Sequence, residues 1–377
     1  MTARPGRGCH ERGVGCCGPA SHTKGNFQVS TDRERVIATA PDPVVRQFLR
    51  MADDSIVAVL PFALSVAARL AIADECAGAG RSVKDLAQVL NAAPDPLERL
   101  MRALVSCGFF TEDADGLFAL APLGQLLRTD SPVSLRATLS NLDTYRAWLG
   151  AVETISTGSP SFDSMFGTPF FSHKEQDDGA GVSFDERMHE RASRLYAGLA
   201  VLPDWHGVSC LLDIGGGRGT VLASVLEENP DLRGILFDRS DVIERSATSG
   251  TLEPFEARCR LVGGDFFAGL PGGADAHLMC SVLHDWDDED AVRILTRSRE
   301  ALPEGGRIFL CEMILPESTE PHPAYWSDLG MMVLLGGRER SYEQYQTLLR
   351  AAGLRAVKVT PLPGSSFGVI EARGARS

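Results

Sequence analysis

The chain has 377 residues, with 50 acids against 37 bases and a net charge of −13. That length exceeds one ordinary hydrophobic core and points to more than one domain, and the acidic balance argues against a polyanionic partner such as DNA. No apolar run reaches the roughly 18 residues that cross a bilayer.

The start, MTARPGRGCHERGVGCCGPASHTKGN, is basic but lacks an apolar segment, so it is not a secretory signal. Residues 1–40 read as a disordered extension. Cys9, His10, Cys16, Cys17 and His22 are metal-ligand types, but their spacing fits no usual zinc finger and no metal is assigned. The nine cysteines, an odd number without an export signal, read as reduced thiols of a cytoplasmic protein.

The most apolar stretch, SIVAVLPFALSVAARLAIA, is broken by Pro61 and Arg69 and reads as a buried or interface helix rather than a membrane span. SVKDLAQVLNAAP follows with a Ser N-cap and Val83, Leu86, Ala87 and Leu90 on one face. DPLERLMRALVSCG is a second helix, with Leu97, Leu100, Met101, Leu104 and Val105 as its stripe and Gly108 as its stop. Two short strands then flank the turn 113–116. Helix, helix, hairpin over residues 41–130 is the winged-helix pattern, often used on DNA. Here the would-be recognition helix sets Asp95 and Glu98 against Arg99 and Arg102, so packing or dimerisation is the better expectation.

Residues 131–204 read as a mainly helical connector, with TGSPSFDSMFGTPFF as a Pro/Gly/aromatic break and SFDERMHERASRLYAGLAVL as a further helix. Met165, Phe166, Phe170, Phe171 and Met188 are bulky and soft; such residues serve either a core or an aromatic pocket. From residue 205 short apolar strands alternate with helices: CLLDIG, GILFD, RLVGGDFF, AHLMCSVLHDW and GRIFLCEMIL. This rhythm predicts an α/β, Rossmann-like domain over 205–377, mostly parallel. It closes with SYEQYQTLLRAAG, opened by a capping box from Ser341 to Gln344, and a final antiparallel hairpin.

LLDIGGGRGT ends the first of these strands, where open α/β sheets bind ligands. The dinucleotide fingerprint requires a third glycine at Thr220, which is absent. Asp213 would also repel a pyrophosphate. S-adenosylmethionine carries a sulfonium and an ammonium and no phosphate, so Asp213 suits it, and Gly215 and Gly217 let the backbone come close. Asp238 ends the second strand, placed for ribose hydroxyls. Asp265 ends the third, placed for the adenine amino group, with Phe266 against the ring.

The fourth strand ends SVLHDWDDED, so His284 falls on the same rim. Asp285 and Trp286 are placed to wall the site, and Asp287 and Asp288 to cap the next helix. Glu312 is an acid inside an apolar strand, costly unless it has a partner. Glu339 follows the Met-rich helix AYWSDLGMMVLLGG. His284 with one or both glutamates repeats a general scheme in which a base takes a proton and a carboxylate fixes its tautomer. Trp148, Met331 and Met332, with Met188 and Asp285, are the expected pocket for a flat aromatic guest.

LLDIGGGRGT, FD, GDFF, LHDWDDE, CEMILPE and DLGMMVLLGGRERS occur in the order seen in small-molecule O-methyltransferases of the plant caffeate and bacterial antibiotic-biosynthesis type, which this chain resembles over about residues 44–372. The resemblance implies S-adenosylmethionine as cofactor, a front domain that forms homodimers, and His284 as general base supported by Glu312 and Glu339. Plant relatives carry a lysine where this chain has Cys280; Ser281 is the candidate replacement. FDRS also departs from the usual FDLP.

The expected reaction is methyl transfer to a phenolic hydroxyl of an aromatic secondary metabolite. The alternatives are N-methylation, a methyltransferase-like fold used for hydroxylation or decarboxylation, and a non-enzymatic winged-helix regulator, which the acidic balance disfavours.

Overall fold

The computed structural model describes residues 54–201, 205–318 and 320–375. The extension over 1–40 and its Cys/His cluster lie outside them. Contacts divide the chain into residues 1–60 and 61–377. Of the first unit, residues 54–60 are helical and open the helix Asp54–Arg69, which carries Pro61 in its interior.

In the second unit the front segment forms as its sequence dictates. Strand β1 (Arg81–Ser82) leads into helix Val83–Val89, whose N-cap Ser82 accepts from the Asp85 amide. Helix Pro94–Ser106 buries Leu97, Met101 and Leu104, spaced three and four apart. Strands β2 (Phe110–Glu112) and β3 (Leu117–Leu120) form the expected hairpin, and β1 pairs with β3 on its other side. Phe110 and Phe118 close a core with Ile72, Leu86 and Met101.

The mainly helical connector begins with three helices, Arg136–Ser140, Leu142–Leu149 and Ala151–Thr157, interrupted at Asn141, an N-cap, and at Gly150. The segment expected as an irregular connector contains the helix Ser161–Phe166. Gly158 and Gly167, both with positive φ, end the helices before them, so they punctuate short helices rather than mark a coil. Phe170–Gln176 and the long Asp178–Leu195 follow.

The main sheet is built from β4 (Cys210–Ile214), β5 (Arg233–Asp238), β6 (Cys259–Gly263), β7 (Ala276–Cys280), β8 (Arg307–Leu315), β9 (Arg340–Ser341), β10 (Leu354–Pro361) and β11 (Phe367–Gly374). Its order is β10-β11-β8-β7-β4-β5-β6, with the short β9 added to β8. β4 through β8 run parallel, while β11 is antiparallel to both β8 and β10. The order reverses between β4 and β7, which makes the carboxyl ends of these strands the switch point where a ligand binds.

Alternation along each strand supplies both faces. Leu212, Ile214, Met279, Ile308 and Leu310 join one core with Ile294, Leu295 and Tyr345, while Leu211, Leu278, Phe309 and Cys311 join the other with Leu222 and Tyr196. Glu312 therefore stands where the next apolar residue of the first face would be, and it is fully buried. Among the described residues no helix is long and apolar enough to cross a membrane.

Candidate active site

A cavity of about 650 Å³ opens beyond the carboxyl ends of β4 to β7. Asp213, Gly215, Gly217, Asp238, Asp265, Phe266, Ser281, His284, Asp285, Trp286, Met188 and Met331 all line it, so these sequence-selected residues converge.

The loop after β4 is shaped by its glycines. Gly215 and Gly217 have φ of +70° and +57°, and a Cβ on Gly215 would meet Val282 at 2.9 Å. The Gly217 amide donates to Asp238 Oδ2 at 2.9 Å, and the Arg239 amide to its Oδ1 at 2.7 Å. Asp213 is buried, and its Oδ2 has no hydrogen-bond partner. Burial first, and then the nearby Asp238, raises the Asp213 pKa to about 7. A buried orphan carboxylate oxygen beside a bare backbone is what a cationic amino-acid group would satisfy, so these residues fit S-adenosylmethionine. Asp265 is exposed at the cavity mouth, with Oδ1 accepting from the Phe267 amide at 2.8 Å. Phe266 meets Trp286 edge-on at 5.7 Å, and Phe171 stacks on Trp286 from another side at 5.7 Å. Ser281 has φ of +52°, uncommon for a residue with a side chain, and its Oγ lies 2.5 Å from the Tyr196 hydroxyl.

His284 sits in the 3₁₀ turn Leu283–Asp285 just past β7. Its Nδ1 is 2.8 Å from Glu339 Oε1, and its Nε2 is 3.4 Å from Asp285 Oδ1. A carboxylate only accepts, so in the neutral ring Nδ1 carries the proton and Nε2 holds the free lone pair. Burial alone would lower the His284 pKa; the charges of Asp285 and Glu339 outweigh it and raise it to about 9. Glu339 in turn accepts from Ser327 Oγ at 2.6 Å, and its amide donates to Asp328 at 2.9 Å.

The two glutamates divide the work expected of them jointly. Glu339 holds the imidazole. Glu312 holds the backbone before it, accepting from the Val282 and Leu283 amides at 3.2 and 2.9 Å. Ligand atoms of His284, Glu312 and Glu339 lie within 4.8 Å of one another, but the hydrogen bonds above already engage His284 Nδ1 and the Oε1 atom of each glutamate.

A second clamp comes from residues 337–340. The Arg338 amide donates to the His284 carbonyl at 2.9 Å. The buried Arg340 donates to the carbonyls of Leu283 and Trp286 at 2.9 and 2.8 Å and to Asp288 at 2.8 Å. Asp287 caps the helix Asp288–Ala301 as expected; Asp288 does not, because its carboxylate is taken by Arg340.

Two selected pocket residues lie elsewhere. Trp148 is 42% exposed and does not line the cavity. Met332 packs instead with Phe162, Phe170 and Val333, since on helix Pro323–Leu334 it faces away from its neighbour Met331. Phe170 and Phe171 reach the cavity; Met165 and Phe166 do not. The sequence reading missed Phe184, Arg187, Arg191 and Tyr196, which line the cavity from Asp178–Leu195 and the turn after it. Their spacing with Met188 is a helical stripe, and arginines at apolar positions of that stripe were the available signal.

Glu339→Gln tests the division of labour: removing the negative charge should lower the His284 pKa, and an NMR titration of the imidazole in wild type and variant checks the sign.

Comparison with known proteins places the chain in a family. Residues 148–355 match the model of the O-methyltransferase domain, and residues 56–130 that of the O-methyltransferase dimerisation domain. The chain is 35% identical over 312 residues to the phenazine O-methyltransferase PhzM of Lysobacter antibioticus, covering 82% of this chain and 91% of that one. It is 33% identical over 324 residues to the 8-amino-8-demethylriboflavin N,N-dimethyltransferase of Streptomyces davaonensis, covering 83% and 91%. Among solved structures, the O-methyltransferase NcsB1 of neocarzinostatin biosynthesis, in complex with S-adenosylmethionine and 2-hydroxy-5-methyl naphthoic acid, superposes with a TM-score of 0.73 at 31% identity, covering 86% of this chain and 98% of that one. The chain therefore belongs to the O-methyltransferase family and is an S-adenosylmethionine-dependent methyltransferase.

Proposed function

We propose that the protein methylates a phenolic hydroxyl of an aromatic secondary metabolite, with His284 as general base. The observation that carries this is the His284–Glu339 pair at 2.8 Å, which in the neutral ring puts the Nε2 lone pair at the cavity wall, 3.4 Å from Asp285 Oδ1. The cofactor, when bound, supplies a methyl group already activated on a sulfonium. Asp213, Gly215, Gly217 and Ser281 hold its amino-acid end, Asp238 its ribose, and Asp265, Phe266 and Trp286 its adenine side.

A phenol of pKa about 10 is mostly protonated at neutral pH. His284 Nε2 takes that proton as the oxygen becomes a nucleophile, and Glu339 steadies the imidazolium. With its pKa raised to about 9, His284 is mostly imidazolium at pH 7, so turnover should climb as pH rises toward about 9 and the base form fills. Phe171, Met188 and Met331 supply apolar wall that orients the guest and excludes water. The aromatic acceptors named for relatives, a phenazine and a naphthoic acid, support this class of guest. The match of residues 56–130 to a dimerisation domain, with Phe62 and Val66 exposed on helix Asp54–Arg69, supports a homodimer formed through residues 41–130. On this division 131–204 contribute Phe171 and Met188 to the acceptor wall, and 205–377 the cofactor site, His284 and Met331.

N-methylation is the second reading, favoured by the dimethyltransferase relative. Incubating the protein with methyl-labelled S-adenosylmethionine and a panel of aromatic phenols and anilines separates the two. Label on oxygen is expected; label confined to nitrogen would overturn the proposal.

Cofactor binding carries its own pH dependence. Burial raises Asp213 to about 7 and Asp238 to about 6. A cationic ligand prefers the ionised carboxylates, so its Kd should fall as pH rises from about 6 to about 8. Asp213→Asn should flatten that slope, as calorimetry at several pH values would reveal.

A further inference from the structure

Two cations in the cavity wall have no part in the transfer just described. Arg187 and Arg191 stand one turn apart on helix Asp178–Leu195, and both line the cavity. Arg187 donates to Thr144 Oγ1 at 3.2 Å. Arg191 lies over the Phe367 ring at 5.6 Å, with the Tyr196 hydroxyl as its hydrogen-bonding neighbour. Among the described residues no carboxylate comes within 4.0 Å of either guanidinium. Asp285, the acid whose charge both feel, has its Oδ1 3.4 Å from His284 Nε2.

Burial lowers the Arg187 pKa to about 10, whereas at Arg191 the Tyr196 hydroxyl and the charges of Glu339 and Asp285 outweigh burial and raise it. A bound anion would give Arg187 the direct partner that it lacks. Asp285 and, at Arg191, Glu339 act on the pair only from beyond ion-pair distance, so neither gives it a direct anion. The apolar wall beside them, Phe184 and Met188, fits the aromatic body of such an anion. A planar carboxylate suits the guanidinium fork.

We propose that Arg187 and Arg191 bind a carboxylate on the acceptor, so that the enzyme selects hydroxylated aromatic acids over neutral phenols. This rests on the methyl-transfer reading above and names its substrate class. The cofactor's methionyl part also ends in a carboxylate, and the test separates the two sources.

The protein saturated with S-adenosylhomocysteine is titrated calorimetrically with a hydroxynaphthoate and with its carboxamide. The acid is expected to bind at least about tenfold tighter. Arg187→Gln and Arg191→Gln should each remove most of that preference, Arg→Lys at the same positions should retain part of it, and affinity for S-adenosylhomocysteine should stay unchanged. Equal binding of acid and amide, or binding of neither, overturns the proposal. Loss of S-adenosylhomocysteine affinity in the glutamine variants assigns the pair to the cofactor and also overturns it. Methyl transfer to neutral phenols with no preference for acids would remove this inference alone and leave O-methyl transfer standing. Tight acid binding without transfer to any oxygen would instead remove the transfer reading.

Discussion

His284→Ala is expected to lower kcat for a phenolic acceptor by roughly 10²- to 10⁴-fold, the usual contribution of a positioned general base. The Kd for S-adenosylmethionine should change by no more than about twofold, because the Gly217 and Arg239 amides hold Asp238 and the imidazole bonds to neither Asp238 nor Asp213. The split is the informative part. A residue that only shaped the pocket would raise KM and spare kcat. His284→Asn, which keeps a polar side chain near Glu339, should be almost as slow, since it offers no basic nitrogen. Steady-state kinetics alongside cofactor titration checks both halves, and unchanged turnover in His284→Ala would remove the base assignment.

Gly337→Ala is the second large effect. A Cβ there would meet the His284 carbonyl oxygen at 2.1 Å and the Asp285 carbonyl carbon at 2.5 Å. Both are backbone atoms, so no side chain can swing aside. Relief requires the 3₁₀ turn or residues 337–340 to move, and the Arg338 amide and the Arg340 guanidinium tie those two segments together. Overpacking of this kind costs about 1–3 kcal/mol or more. The melting temperature should drop by several degrees, and kcat should fall as Nε2 leaves its position. Gly330→Ala is the control: nothing lies within 4 Å of a Cβ there, and the position is helical, so stability should hold or rise slightly. Wild-type melting and turnover in Gly337→Ala would show that the base does not depend on this contact.

The strand-end acids and the glycine loop are legible in the sequence because a parallel sheet brings successive strand ends to one rim; chain order alone then places Asp213, Asp238 and His284 together. Glu312 is legible as an anomaly, an acid on an apolar face, yet its partners are the amides of Val282 and Leu283, and backbone partners leave no mark in side-chain identity. The arginine pair leaves only a faint mark, its place on the stripe with Phe184 and Met188. Charged residues on a polar helix are ordinary, and only the packing of Asp178–Leu195 over the strand ends turns Arg187 and Arg191 inward. Met331 and Met332 show the limit of composition: adjacent residues on a helix point about 100° apart, so one enters the cavity and the other the neighbouring core. Trp148 fails similarly, since bulk alone does not tell a pocket wall from an exposed helix face.

On the proposed reading, His284 removes the acceptor's proton during transfer. That step is tested most directly by measuring kcat for wild type and His284→Ala across phenols of one shape but graded pKa. With the base in place, the rate should vary little with phenol pKa. Without it, only phenols already ionised at the working pH should react, so the rate should climb steeply as phenol pKa falls and approach wild type for the most acidic. Parallel dependences in the two proteins would contradict the account.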